Sequence, residues 1–183
     1  MKHYIFIVII LLFFTSCESY VSKYPISYSN DSFIISELNG YWKYHSHYQD
    51  TTDAWTASYN GSLLRIMAFN KHEHLIELIP DIIKTQREYL DDILIMRGFT
   101  TKINGEIFIN LMNLSNDDDT ESLFTIQKIH LSKDTLFTTG ISPKMFKSLN
   151  IEIESIADHY KFIKSIQNKK EYWDMGFKFV KFE

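Results

Sequence analysis

The stretch RGFTTKINGEIFINL, residues 97–111, carries the clearest fold signal in the chain. Two runs rich in Ile, Phe and Thr, residues 93–103 and 106–114, meet at the dipeptide Asn104-Gly105. Asn-Gly favours a two-residue turn with positive φ at both central positions, and this turn matches the twist of paired antiparallel strands. Residues 93–114 are therefore predicted to form a β-hairpin.

Further strands are predicted on both sides of this hairpin. Residues 41–48, YWKYHSHY, alternate so that Trp42 and Tyr44 share one face while Tyr41 and Lys43 share the other. This period of two is typical of a half-buried strand. The remaining predicted strands cover residues 61–69, 74–79, 123–131, 135–141 and 176–182. The chain thus has about seven or eight strands.

Two helices are predicted in the last third of the chain. Ser142-Pro143 is typical of an N-cap followed by proline at the first helical position, and the helix is expected to end near Leu149. Residues 156–167 predict a longer helix, because Ile156, Tyr160, Ile163 and Ile166 recur at helical spacing. Ser155 and Asp158 are placed for a start similar to a capping box.

Two shorter segments complete the prediction. Residues 81–92 favour a third, short helix, and residues 151–155 a brief strand. The expected fold class is α+β, mainly β: a curved antiparallel sheet or a barrel carrying two or three helices.

Gly40-Tyr41-Trp42 stands at the entry to the first predicted strand. It is similar to the Gly-x-Trp signature of the lipocalins and of lipocalin-like lipoproteins. The resemblance implies an eight-stranded barrel whose closed end is plugged by Trp42, and a cup for a small apolar ligand. The alternative is that Trp42 is an ordinary core aromatic on a buried strand, since large aromatic residues dominate protein cores.

The N-terminus has the layout of an export signal. Lys2 precedes the uncharged segment 4–14, which is shorter than the roughly 20 residues of a membrane-spanning helix and fits a signal-peptide core. Phe14-Thr15-Ser16-Cys17 then resembles the lipobox of bacterial lipoproteins. The resemblance implies that Cys17 is acylated, with palmitate or a similar chain, and becomes the new N-terminus. The alternative is a free or buried cysteine.

This interpretation divides the chain into three parts: a signal peptide over residues 1–16, a lipidated tether over 17–36, and a single β-rich domain over 37–183. Cys17 is the only cysteine, so no disulfide is expected. The formal net charge of −4 argues against nucleic acid as a partner, because such partners require a basic face.

Two pairs of histidines, His45/His47 and His72/His74, are the strongest candidates for a metal site. Alternate residues on a strand share a face, so each pair could present two imidazoles to zinc. Nothing in the sequence fixes a third ligand, and the alternative is an exposed polar face. The run Asp117-Asp118-Asp119 lacks the spacing of a calcium loop and is expected to be solvated.

No sequence motif of a hydrolase or nucleotide-binding enzyme is present, so we expect a non-catalytic protein without a cofactor. We expect a cell-envelope lipoprotein, held in the membrane through Cys17, that binds a small apolar ligand. The alternative is an interaction or structural lipoprotein, such as an accessory subunit or an immunity-type protein, whose partner is another envelope protein. Glu18 follows the cysteine instead of the Asp that retains some lipoproteins in the inner membrane, so the outer membrane is expected.

Overall fold

The computed structural model describes residues 20–47, 61–80, 93–114, 123–149 and 151–182. In this part of the chain, eight antiparallel strands form one closed barrel, in which sequence neighbours pair and the last strand pairs with the first. The strands are β1 (Gly40–His47), β2 (Leu63–Ala68), β3 (His74–Ile79), β4 (Leu94–Ile103), β5 (Glu106–Asn113), β6 (Phe124–Ser132), β7 (Thr135–Ile141) and β8 (Trp173–Phe182). The α+β, mainly β class is confirmed, and of the two sheet forms that were open the lipocalin-like barrel is the one observed.

The β4–β5 hairpin forms as its sequence predicts. Ile103 pairs with Glu106 across the turn, and the two turn residues have φ values of 48° at Asn104 and 92° at Gly105. Positive φ at both positions is the geometry that Asn-Gly accommodates. The local sequence thus fixes the register of the longest strand pair in the barrel.

The alternation predicted for β1 is also observed. Trp42 and Tyr44 are buried inside the barrel, whereas Tyr41, Lys43 and His45 are exposed. The register of β1 against β8 shifts between Tyr44 and Ser46, where a bulge interrupts the ladder.

Trp42 closes one end of the barrel. Its indole Nε1–H donates to the carbonyl of Leu38, 2.7 Å away, in the 3-10 helix Ser36–Leu38 that crosses this end. Lys181 of β8 places Nζ 5.2 Å from the centre of the indole ring and donates to the carbonyl of Glu37. Gly40 enters β1 with a φ of 129°, a conformation that favours glycine. We call this the closed end, and the opposite end the mouth.

Two helices lie between β7 and β8: α1 (Pro143–Leu149) and α2 (Ile156–Ile166). The cap predicted for α2 is present, since the Ser155 side chain accepts a hydrogen bond from the backbone N–H of Asp158. The buried residues of α2 are His159, Phe162, Ile163 and Ile166. Of the predicted apolar face, Ile163 and Ile166 are buried and Tyr160 packs against the same core, whereas Ile156 is only half-buried and His159 joins the buried face.

Residues 151–155 form no strand, which corrects the prediction made for them. The physical reason is the topology: every strand of the closed barrel already has two neighbours, so no edge is left for another strand to join.

Residues 20–36 pack against the barrel, whereas the sequence predicted a tether there. Tyr20 and Ile26 are buried in the core between the barrel and α2. The backbone N–H of Ile26 donates to Oδ1 of Asn110 at 2.7 Å, and Ser22 forms a β-bridge with Phe124 at the mouth. Polar composition alone does not reveal this packing, because its hydrogen-bond partners on β4 and β5, including Asn110, are distant in sequence.

The barrel has apolar cores on both sides of its wall. The inner core contains Trp42 and the inward side chains of the strands. The outer core lies where Phe108 of β5 and Ile126 of β6 face outward beneath Phe162 and Ile163 of α2. The barrel wall, residues 20–36 (the N-terminal segment) and α2 are therefore held together as one folded unit.

Two predictions fall outside the described residues, namely the helix over residues 81–92 and the solvated run Asp117–Asp119. Cys17 and the leader also lie outside them. Within the described ranges, no helix is both long and apolar enough to cross a membrane.

Candidate ligand-binding cavity

A cavity of about 320 Å³ lies inside the barrel. It begins above Leu38 at the closed end and reaches Tyr20 and Ile141 near the mouth. Strands β2 to β8 contribute inward side chains to its wall. The apolar lining residues are Leu64, Ile66, Ile76, Leu78, Leu94, Met96, Ile109, Leu111, Ile129, Leu136, Phe177 and Phe179.

The alternation of the strands explains why this lining is apolar. On β5, Ile109 and Leu111 face the cavity. The residues that alternate with them, Phe108 and Asn110, face outward. A period of two places alternate residues on one face of the wall. No Asp, Glu, Lys, Arg or His side chain is among the described residues that line the cavity.

A small polar patch interrupts the apolar wall on β6 and β7. Its side chains are those of Thr125, Gln127 and Thr138, and Gly140 lies directly opposite Gln127 in the β6–β7 register. A Cβ atom placed on Gly140 would lie only 3.2 Å from Nε2 of Gln127. The missing side chain of Gly140 thus leaves room for the amide against the wall.

The amide oxygen of Gln127 has no hydrogen-bond partner. Oε1 is buried, and no described donor reaches it. A buried acceptor without a donor costs about 1–3 kcal/mol. The folded chain carries this cost at the polar patch, because Oε1 is shielded from the cavity as well as from solvent.

The histidine pairs that were candidates for a metal site do not form one within the described residues. His72 Nδ1–H donates to the carbonyl of Ser32, and His74 is fully buried at the closed end, where Nε2 accepts from the N–H of Ile35. His45 is exposed beside the hydroxyl of Ser46, and the side chain of His47 lies outside the described part. No group of three or more His, Cys, Asp or Glu side chains in the described ranges is placed to hold a metal ion.

His74 is adapted to the neutral form. Burial lowers the pKa of this imidazole below its ordinary value, because desolvation disfavours the charged ring. Its Nδ1 has no hydrogen-bond partner among the described residues. His74 is therefore an uncharged side chain at the closed end of the barrel.

Glu73, the carboxylate next to these histidines, is committed to an ion pair. Both its oxygens accept from Arg97 of β4, at 2.5 and 2.8 Å, and Asn70 Nδ2 donates to it as well. The hydrogen bond from Arg97 is the main reason that the pKa of Glu73 is lowered, and the same contact raises the pKa of Arg97. Glu73 therefore fastens the β2–β3 turn to β4.

A second buried histidine, His159 of α2, joins the N-terminal segment to the helix. Its Nδ1–H donates to the carbonyl of Tyr24, so its Nε2 accepts from the hydroxyl of Tyr20 at 2.9 Å. Burial lowers the pKa of His159 to about 4 and raises that of Tyr20, so both side chains are neutral at neutral pH.

The polar patch and His159 were not predicted from the sequence, although part of the signal for the patch was present. Alternate residues of a strand share a face, and this places Thr125, Gln127 and Ile129 of the stretch TIQKI, residues 125–129, on one side of β6. The inward position of Gln127 could therefore have been predicted from the sequence. The contact of His159 with Tyr20 joins residues 139 positions apart, and no local pattern encodes it.

Fold and site together define a class: a lipocalin-like, eight-stranded up-and-down barrel with a lined internal cavity. Comparisons of this chain with protein-family models, with curated proteins and with solved structures found no match.

Proposed function

We propose that this protein is a lipid-anchored cell-envelope protein that binds a small, largely apolar molecule inside its barrel, without catalysis. The cavity of about 320 Å³ is the observation that carries the proposal. Ligand pockets generally span about 300–1,000 Å³ and are mostly apolar with a few placed polar groups. The barrel interior has this combination.

An empty apolar cavity is costly, which favours a role for this one. Unfilled space leaves the surrounding side chains without packing partners, and the loss of these contacts lowers the stability of the folded chain. Leu, Ile or Phe side chains from each of the strands β2 to β8 make up most of the wall, and such a lining favours apolar guests. A bound molecule would recover the lost contacts.

Cys17 is the proposed attachment point to the membrane, by analogy with the lipobox. One acyl chain binds a bilayer only marginally, so stable anchoring requires two or more chains. We propose the outer membrane as the location, on the basis of Glu18 after the cysteine.

The second candidate is an interaction protein, and one surface feature favours it. Tyr41 and Phe182 are exposed partners in the β1–β8 register near the closed end, with exposed fractions of 38% and 52%. A protein partner would cover this pair, whereas a cavity ligand would leave it exposed.

Photoaffinity labelling of the full chain in phospholipid nanodiscs tests the binding proposal. A photoreactive alkyl probe should cross-link to cavity-lining residues of β5, β6 and β7, as mapped by peptide mass spectrometry. Leu111→Trp fills the cavity and should abolish this labelling. Met112→Trp is the matched control, because this neighbouring side chain is also half-buried but does not line the cavity.

Equal labelling of wild type and Leu111→Trp would refute cavity binding and favour the interaction role. The anchor has its own test. Cells fed an alkyne-tagged fatty acid should incorporate the tag into the wild-type protein but not into Cys17→Ala, and incorporation in both would refute lipidation at Cys17.

A further inference from the structure

We propose that the mouth of the barrel docks on the lipid bilayer, with three exposed apolar side chains seated at the level of the lipid head groups. These side chains, which we call the rim residues, are Val21, Leu114 and Leu123. They lie beside the proposed lipid anchor at Cys17, so this inference rests on the proposed function. Docking of the mouth turns the open end of the cavity toward lipid and the closed end toward water.

The rim residues lie together on one stretch of the mouth. Leu114 comes directly after β5 and Leu123 directly before β6, so the two flank the same connection. Val21 joins them, because its neighbour Ser22 exchanges two backbone hydrogen bonds with Phe124, the first residue of β6. Three apolar side chains from two separate parts of the chain therefore meet at this edge.

These side chains are exposed although they are apolar. The exposed fraction is 48% at Val21, 47% at Leu114 and 44% at Leu123. Single exposed apolar residues are normal on protein surfaces, whereas several side by side mark a surface that contacts a partner. The rim residues lie at the end of the barrel that the apolar cavity reaches, near Tyr20. The surface is therefore suited to an apolar partner.

The path of the chain identifies the bilayer as that partner. Residues 20–36 run along the barrel wall from the mouth, where Ser22 pairs with β6, to the closed end, where they lead into β1. The chain that precedes them therefore departs from the mouth. Cys17 comes only four positions before Val21, so acyl chains on Cys17 hold this end of the barrel against the lipid.

Apolar exposure alone does not select the mouth, because the closed end also carries exposed aromatic side chains. Phe69, which follows β2 in the turn to β3, is 63% exposed, more than any rim residue. The ten residues of β4, at about 3.3 Å each and tilted by roughly 40°, separate the two ends by about 25 Å. A mouth seated on lipid therefore leaves Phe69 in water.

Fluorescent labelling of the full, lipidated chain in neutral phosphatidylcholine vesicles measures this orientation. Acylation consumes the thiol of Cys17, the only cysteine in the chain, so an introduced cysteine is the single site for an environment-sensitive fluorophore. At Leu123→Cys we expect emission at shorter wavelength and quenching by lipids that carry a nitroxide near the head group. At Phe69→Cys, the matched control, we expect quenching by aqueous iodide and none by the nitroxide lipids. Neutral lipid is used because Asp117–Asp119 lie between Leu114 and Leu123 in the sequence and would repel an anionic surface.

A charge on the rim should weaken the docking and leave the anchor intact. Leu114→Glu, combined with the label at Leu123→Cys, should reduce quenching by the nitroxide lipids, because a carboxylate would have to leave water. Phe69→Glu with the same label should keep the quenching of the parent protein. Both substitutions are at exposed positions, and both proteins should still float with the vesicles through Cys17.

The outcomes separate this inference from the proposed anchor. Labelling of the wild-type chain by the thiol reagent, or its failure to float with vesicles, would refute the anchor at Cys17 and the docking with it. An unlabelled, vesicle-bound wild type with equal nitroxide quenching at Leu123→Cys and Phe69→Cys would leave the anchor intact and overturn the docking. Quenching by iodide alone at both positions, or unchanged nitroxide quenching in Leu114→Glu, would overturn it as well.

Discussion

Protonation of His159 is expected to loosen the attachment of the N-terminal segment to α2. This imidazole is fully buried, and it accepts from Tyr20 and donates to the carbonyl of Tyr24. Adding a proton to Nε2 would place a positive charge in this buried site, and the Tyr20 hydroxyl would have to turn its own proton away to accept from that nitrogen. Burial is the largest cause of its low pKa, and the hydrogen bonds to backbone carbonyls offset only part of it.

The size of the effect follows from the two pKa values. The ordinary pKa of 6.5 applies to the unfolded chain and the value of about 4 to the folded one, so the unfolded chain binds the proton more readily between them. The free energy of unfolding therefore falls as the pH falls through this interval, and the full contribution is present above pH 6.5. With about 1.4 kcal/mol per tenfold change in proton affinity, the loss between about pH 7 and about pH 5 is about 2 kcal/mol.

Urea unfolding, followed by tryptophan fluorescence across this pH range, measures the loss. His159→Gln keeps a neutral donor and acceptor at the site and should reduce the pH dependence by about 2 kcal/mol. His74 is also buried with a lowered pKa and contributes in the same direction, so the comparison must be between variant and wild type. Met145→Leu changes a non-titratable, partly buried residue of the same core, so it is the control and should keep the wild-type slope. Equal slopes for wild type and His159→Gln would refute the reasoning.

Three further predictions concern the closed end and the outer wall. Trp42→Phe removes the indole N–H and leaves the buried carbonyl of Leu38 without a donor, so urea unfolding should show a loss of about 2 kcal/mol. Asn110→Ala removes the acceptor for Ile26 N–H and should speed limited proteolysis within residues 20–33, and unchanged cleavage would contradict the packing described for this segment. Glu73→Gln weakens the ion pair with Arg97 and should cost about 1–2 kcal/mol at neutral pH. Because the pKa of Glu73 is lowered, that difference should vanish as the pH falls through its folded value, and a difference that persisted in acid would point to packing instead.

Local chemistry explains which elements were predictable from the sequence. The Asn104-Gly105 turn, the alternation around Trp42 and the Ser155 cap each depend on residues close in sequence, and each is observed. Closure of the barrel is harder to predict from the sequence, because β1 and β8 are far apart in the chain and their pairing depends on the twist of the whole sheet.

The cavity and the packed N-terminal segment could not be predicted in the same way. Whether inward side chains such as Leu111 and Ile129 meet or leave a space depends on the barrel radius, which no short pattern encodes. The polar composition of residues 20–36 favoured a tether, but the partners that hold this segment are distant in sequence: Asn110, which accepts from the N–H of Ile26, lies 84 positions beyond it. Long-range hydrogen bonds outweighed composition there.

Because the N-terminal segment is packed against the barrel, only a short length of chain separates the proposed anchor from the folded domain. Tyr20 is held near the mouth, where its ring contacts Phe146 of α1, and Cys17 precedes it by only three positions. An extended chain spans at most about 3.6 Å per residue, so acyl chains on Cys17 would keep Tyr20 within about 11 Å of the anchored residue. A barrel anchored in this way would be unable to carry the proposed ligand to a second membrane, so loading and release would both take place at one bilayer.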